Sequence, residues 1–153
     1  MLKKRLITVL TFNNGVLFRT KNFHPDYRYT LNFVDAWSVD EIVVLDVTRP
    51  GGGLKENFYK VVSDFADKCF VPLAAGGGVT SVGHFRELLN VGADKVVINS
   101  KAMERPEFIT EAAKLFGSQC VVVSIDARKN SYGIYEVFTK QGAQPTRVSA
   151  QDW

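Results

Sequence analysis

VPLAAGGGVTSVGHFRELLNVGADKVVINSKAMERP, residues 71 to 106, decides how the rest of the chain reads. A short apolar run, Val71 to Ala75, meets three consecutive glycines, Gly76, Gly77 and Gly78. An amphipathic segment follows, with Phe85, Leu88, Leu89 and Val91 spaced onto one helical face. A second apolar run, Val96 to Ile98, ends in Asn99 and Ser100. The pattern is strand, glycine turn, helix, parallel strand: one βαβ unit with polar groups where its strands end. Ligands of such units bind at those ends, and the residue types here suit an anion.

Outward from this unit the same alternation recurs. Arg5 to Leu10 is a short apolar strand ending at Thr11, and Asn14-Gly15 is a two-residue hairpin signal leading into Val16-Leu17-Phe18. Residues 20 to 29 read as a polar and aromatic loop, and the stretch around Thr30 to Trp37 as a short helix. Glu41 to Val47 is a β-branched strand with Asp46 and Thr48 at its end. A glycine-rich loop precedes helical apolar spacing over Leu54 to Lys68. Beyond the central unit, Pro106 suits the first turn of a helix over Glu107 to Phe116 that Gly117 terminates. Cys120 to Ile125 reads as a fifth buried strand ending at Asp126. Tyr132 to Thr139 and Thr146 to Ser149, around Lys140-Gln141-Gly142, form a β-hairpin pattern, and Gln151-Asp152-Trp153 suits the start of a further helix.

Strands that are unalternated apolar runs are buried on both faces, which favours a parallel sheet under helices. Two architectures fit: a doubly wound open sheet, or about five units of a (β/α)8 barrel. The open sheet would carry a glycine fingerprint after its first strand, and Phe12-Asn13-Asn14-Gly15 is not one. The barrel is therefore expected. A whole barrel takes roughly 250 residues, so 153 residues form one incomplete barrel domain that stops before a sixth strand. Exposed sheet edges and an exposed apolar interior follow, so the chain is expected to be a fragment or to be completed by another chain.

Composition excludes several classes. Apolar residues are 46% and charged residues 23% of the chain, ordinary globular values. A net charge of +3, with Lys and Arg scattered, argues against nucleic acid and fits an anionic small molecule. No apolar run approaches the ~20 residues of a membrane helix, and the first strand is too short for a signal peptide. Cys69 and Cys120 read as core thiols of a cytosolic protein. No group of His, Cys and carboxylates has metal spacing, His24 and His84 read as surface residues, and no cofactor is expected.

The strand ends carry the chemistry. Glycines after a strand let backbone N–H groups approach an anion, and Asn99 and Ser100 supply amide and hydroxyl donors. The alternative is that the glycines only let a helix pack closely on its strand. Asp46 and Asp126 end apolar runs, where a carboxylate is costly unless used. Each can serve in acid/base work, or can cap a loop or pair with Arg19 or Arg128.

Four segments then carry a family resemblance: KKRLITVL at the start, DEIVVLDVT, AAGGGV with GADKVVINS and the following proline, and FGSQCVVVSIDA. In order and spacing the chain resembles the cyclase subunit of imidazole glycerol phosphate synthase, a (β/α)8 barrel of histidine biosynthesis. The resemblance implies a barrel that takes ammonia from a glutaminase partner. With it the family cleaves and cyclises a phosphorylated ribulosyl-formimino-carboxamide ribotide to imidazole glycerol phosphate. It places a phosphate site on Gly78, Asn99 and Ser100, the acid/base aspartate on Asp126, an ammonia-entry charge ring on Arg5, Glu41 and Lys95, and a glutaminase-facing residue on Asp94.

Three departures accompany it. The family's other catalytic aspartate is replaced by Thr11, whose hydroxyl cannot act as an acid or base near neutral pH. The lysine of the mobile loop is Arg19, which keeps the charge for phosphate. Residues 20 to 40 are shorter than usual, and the whole second half, with its second phosphate site, is absent. LTFNNGVLFRTKNFHPDYRYTLNFVD, residues 10 to 35, looks like a divergent branch linked to surface-polysaccharide genes, where ammonia serves acetamidino groups on sugars. A non-catalytic fragment that binds phosphate or a partner is the third possibility.

Overall fold

The computed structural model describes residues 4–14, 16–21, 24–26, 39–48 and 54–153. The expected helix around Thr30 to Trp37 and the glycines of the 49–53 loop lie outside the described residues. The chain divides into two compact units, Met1–Val97 and Ile98–Trp153.

The first unit is a sheet with helices. Its strands are β1 (Ile7–Asn13), β2 (Val16–Lys21), β3 (His24–Asp26), β4 (Glu41–Asp46), β5 (Leu73–Gly76) and β6 (Lys95–Ile98). Helix α1 (Glu56–Lys68) joins β4 to β5, and α2 (Val82–Asn90) joins β5 to β6. β1 pairs parallel with β4, β4 with β5, and β5 with β6. β2 and β3 extend the sheet from β1 as antiparallel strands. The hairpin turn falls where the Asn-Gly signal puts it: Asn13 pairs with Val16, and Asn14 sits at φ 47°. Parallel strands joined by helices are the barrel-type layout the apolar runs imply.

Strand parity sorts the side chains onto two faces. Phe12, Ile42, Val44, Leu73, Ala75 and Val96 share one face and are all buried. Phe58, Val62 and Phe65 of α1, with Phe85 and Leu88 of α2, supply further buried apolar groups of this unit. The Phe12 and Phe58 rings meet at 5.4 Å between centroids, tilted by 58°, a favourable aromatic geometry. α2 begins at Ser81, whose Oγ accepts the His84 N–H, so the first turn is capped by its own sequence. α1 starts at Glu56, not Leu54, because Lys55 at its N-terminus is extended.

The opposite face, in register, carries Ile7, Val9 and Thr11 of β1, Glu41, Val43 and Leu45 of β4, Ala74 and Gly76 of β5, and Lys95 and Val97 of β6. Ile7 and Val9 are exposed there, at 43% and 53%.

In the second unit, α3 (Ser100–Glu104) and α4 (Glu107–Phe116) follow β6. Pro106 precedes α4 with helical angles, and Gly117 ends it at φ 92°. Strand β7 (Val121–Val123) is shorter than expected and only half-buried, and Ile125 is exposed. The expected fifth buried strand therefore stops at Val123. Ser124 donates its N–H to the Ile98 carbonyl, and the chain then turns into β8 (Asp126–Lys129). β8 pairs antiparallel with β9 (Tyr135–Thr139), and β9 with β10 (Gln144–Ser149). Asn130 closes the β8–β9 turn, its Oδ1 accepting the N–H groups of Tyr132 and Ile134. After β10, Ser149 and Asp152 bond reciprocally, the hydrogen-bond pattern of a helix's opening turn. Cys69 and Cys120 are free and half-buried, so neither is the core thiol the sequence suggests. Among the described residues no helix is long and apolar enough to cross a membrane.

Two substitutions test this packing by urea unfolding. Phe58→Ala removes a fully buried ring and should cost about 3–5 kcal/mol. Gly77→Ala forces a Cβ to within 2.1 Å of the Asp46 carbonyl oxygen at φ 103°, and should cost at least ~2 kcal/mol. A loss below ~1 kcal/mol for either contradicts the packing described.

Candidate functional site

The best-defined polar cluster lies at the N-terminal ends of β4 and β6, on the face opposite the helices. Glu41 is buried, at 5% exposure, and its carboxylate is held by two cations. Lys95 Nζ lies 2.7 Å from Oε1, and Arg5 Nη1 lies 3.2 Å from Oε2. Parity and register bring the three together. Glu41 pairs with Ile7, two residues beyond Arg5, and Lys95 pairs with Ala74, which pairs with Val43 on Glu41's own face. A buried carboxylate is costly alone, and both its oxygens are satisfied here. Arg5 is 59% exposed in its side chain and Lys95 24%, so Lys95 is the more desolvated partner and carries more of the attraction.

The strand starts beside this cluster are held by two aspartates doing the same task. Asp40 Oδ2 accepts the Leu6 N–H at 2.7 Å, while the Asp40 N–H donates to the Leu6 carbonyl. Asp94 Oδ2 accepts the Leu73 N–H at 2.8 Å, with the Asp94 N–H returned to the Leu73 carbonyl. Each precedes the charged residue that enters the ion cluster, Glu41 or Lys95. The role of Asp40 was missed from sequence, although the shared pattern of Asp, a charged residue and three β-branched residues in DEIVV and DKVVI was there to find. Asp94, expected from the resemblance to face a partner, has here a local structural role. It borders a recess with Cys69, Phe70, Pro72 and Gly92, from which Phe70 projects at 87% exposure. Burial pushes the Cys69 thiol pKa up, against the opposing charge of Lys68.

At the C-terminal ends of the strands, Thr11 occupies the same face as Glu41, in register with Leu45. Leu45 lies four residue steps along β4 from Glu41, roughly 13 Å at about 3.3 Å per residue. Asp46 falls on the other parity and is buried, and its Oδ1 accepts the Thr48 N–H at 2.9 Å. That is a loop-capping role, the plainer of the two readings of this residue. Thr48 Oγ1 in turn accepts the Asn14 N–H, tying the loop after β4 to the hairpin after β1.

The three glycines divide by function. A Cβ on Gly76 would sit 2.3 Å from the Val97 carbonyl oxygen, and one on Gly77 would meet Asp46. Both are needed for close approach of neighbouring backbone. Gly78, exposed and at φ 71°, follows them. In the second unit, Asn99 and Ser100 stand side by side before and at the start of α3, with the Ser100 hydroxyl 3.3 Å from Asn99 Oδ1. Asp126 opens β8, opposite Phe138, rather than ending a parallel strand, because the polar run Asp126–Lys129 pairs with β9. Arg19 is a backbone position of β2, paired with Asp26. Among the described residues no group of three or more His, Cys, Asp and Glu is placed to hold a metal ion.

Comparison with known proteins matches residues 8–153 to the family described as "Histidine biosynthesis protein". The chain belongs to this family. It is 40% identical, over 158 aligned positions, to imidazole glycerol phosphate synthase subunit HisF of Gluconacetobacter diazotrophicus, covering all of this chain and 61% of that protein. The chain thus spans about three-fifths of the length of this curated relative. Family membership bears out the α/β fold of barrel type read from the strand pattern, present here in part.

The ion cluster makes a measurable claim. Lys95→Met leaves the buried Glu41 carboxylate with Arg5 alone and should cost about 2–3 kcal/mol, less than a fully buried pair because Lys95 is partly solvated. Adding Glu41→Leu to Lys95→Met should recover most of that loss in urea unfolding. A single-variant cost under ~0.5 kcal/mol would falsify the desolvated pairing.

Proposed function

We propose that this chain is the N-terminal part of a cyclase-type subunit of an imidazole glycerol phosphate synthase. On this reading it takes ammonia from a glutaminase partner and uses it on a phosphorylated ribulosyl-formimino-carboxamide ribotide. The observation that carries the reading is the buried Glu41 between Lys95 and Arg5, on the face that also holds Thr11. A charge cluster at one end of a sheet face and a reaction site at the other would give a small neutral molecule a path between them. The relative's name, which denotes one subunit of a synthase, supports a partner chain.

Residue roles are carried over from the resemblance read in the sequence. Arg5, Glu41 and Lys95 form the ammonia gate, and Asp94 faces the glutaminase beside the exposed Phe70. Gly78, Asn99, Ser100 and Arg19 donate to phosphate. Asp126 is the general acid/base, and Asp46 supports the mouth by capping its own loop. The reaction needs no cofactor, and the setting is the cytoplasm. Residues 1 to 153 then constitute one incomplete barrel domain.

Thr11 favours a second reading. With no titratable group there, one of two acid/base positions is lost. The ammonia would instead serve an acetamidino group on a surface-polysaccharide sugar, or the chain would bind without catalysis. Assay of the full-length protein with glutaminase, and separately with ammonium salt, separates these. Thr11→Asp should raise imidazole glycerol phosphate formation by about tenfold or more, and Asp126→Asn should lower it by about a hundredfold or more, the usual scale of acid/base catalysis. Vigorous cyclisation with Thr11 in place, and no gain from Thr11→Asp, would sink the assignment of that position.

A further inference from the structure

We infer that the main-chain amide of Lys140 is a positioning group for the Ser100 hydroxyl, setting it to donate to a phosphate oxygen. The inference rests on the phosphate-binding role proposed for Ser100, and it adds a hairpin turn that the proposed reading does not use.

Ser100 and Lys140 are 40 residues apart, and the Lys140 N–H donates to Ser100 Oγ at 2.9 Å. The Ser100 O–H donates in turn to Asn99 Oδ1 at 3.3 Å. A hydroxyl has one proton to give and two lone pairs to receive with. Accepting the Lys140 amide fixes the oxygen's rotation and leaves the proton directed away from the turn. A hydroxyl that already accepts a hydrogen bond is also a stronger donor. Its present acceptor is a neutral amide at long range, against a usual O–H···O distance of about 2.7–2.8 Å. A charged phosphate oxygen would take that proton in preference.

The turn is built at some conformational expense. Lys140, Gln141 and Gly142 have φ of 51°, 59° and 74°, and only the last is glycine. L side chains rarely adopt this region, and such residues persist where their surroundings fix them. Here the Ala143 N–H bonds back to the carbonyls of Thr139 and Lys140, and Thr139 is buried. The product of that geometry is a main-chain donor aimed at one serine. Because the donor is main chain, the Lys140 side chain is dispensable to this role, and the residue reads as an ordinary surface lysine in the sequence.

The test uses inorganic phosphate as the probe on the full chain. Lys140 is replaced by its α-hydroxy analogue, which turns the amide into an ester and removes the N–H. Phosphate affinity should fall by about three- to tenfold, the scale of one hydrogen bond, while Lys140→Asn, which keeps the N–H, stays within about twofold. In a Ser100→Ala background the ester should add no further loss, and Ser100→Thr should retain the wild-type response. Amide exchange of the Lys140 N–H, followed by NMR on the unmodified chain, should slow on phosphate addition and lose that response in Ser100→Ala. The exchange measurement decides the matter even if the ester variant fails to fold. Equal losses from the ester with and without Ser100, an equal loss from Lys140→Asn, or exchange indifferent to phosphate overturns the positioning role alone. Absence of any phosphate binding by the unmodified chain removes the Ser100 reading and this inference together.

Discussion

A buried carboxylate between two cations sets the terms for the first unit. Glu41 is held at the start of β4 only if β1 and β6 bring Arg5 and Lys95 to it, so the ion cluster and the strand register specify each other. A one-residue slip in any of these pairings would send one of the charges into the apolar, helix-packed face. The clamps of Asp40 on Leu6 and Asp94 on Leu73 resist that slip from the strand starts. Specificity of register is thus supplied by polar groups, and bulk stability by the apolar face on the other side.

That division separates the two tasks of the sheet. Phe12, Ile42, Val44, Leu73, Ala75 and Val96, with Phe58, Val62, Phe65, Phe85 and Leu88, hold the fold through area removed from water. The opposite face keeps its charges at one end and Thr11 at the other, with Val9, Val43, Ala74 and Val97 between them. Chemistry placed there can change without disturbing the core. Thr11 lies on that face, in register with Leu45, so the residue type at its position can vary without entering the helix-packed core.

Much of this is legible in the sequence, for identifiable reasons. Unalternated runs such as Ile42 to Val44 and Val96 to Ile98 point to a parallel sheet, and Asn14-Gly15, Ser81, Pro106 and Gly117 mark turns and helix ends whose chemistry is local. The fifth strand reads too long because Val121 to Ile125 is apolar apart from Ser124, while its exit from the sheet depends on β9, a partner distant in sequence. The cysteines mislead for a similar reason: each opens onto apolar residues in sequence, Phe70-Val71 and Val121-Val122, but exposure is decided by neighbours in space. Of the site, the ion cluster could be named only by family likeness, since nothing in the spacing of Arg5, Glu41 and Lys95 reveals that one carboxylate serves two cations. The loop-capping alternative for Asp46 is supported by its bond from the Thr48 N–H, whereas Gly76 and Gly77 admit the backbone of neighbouring Val97 and Asp46 and not, as the sequence suggests, a closely packed helix.

The proposed gate is the claim on which the functional account turns, and isotope dilution tests it most directly. The full-length protein and its glutaminase are given glutamine labelled with nitrogen-15 in the side-chain amide, in buffer containing unlabelled ammonium. The account predicts that nitrogen-15 reaches the product undiluted with Glu41 and Lys95 in place, and that Glu41→Ala with Lys95→Ala lets the bulk ammonium dilute it. Equal dilution in the wild type and the double variant would contradict the path from the ion cluster to Thr11.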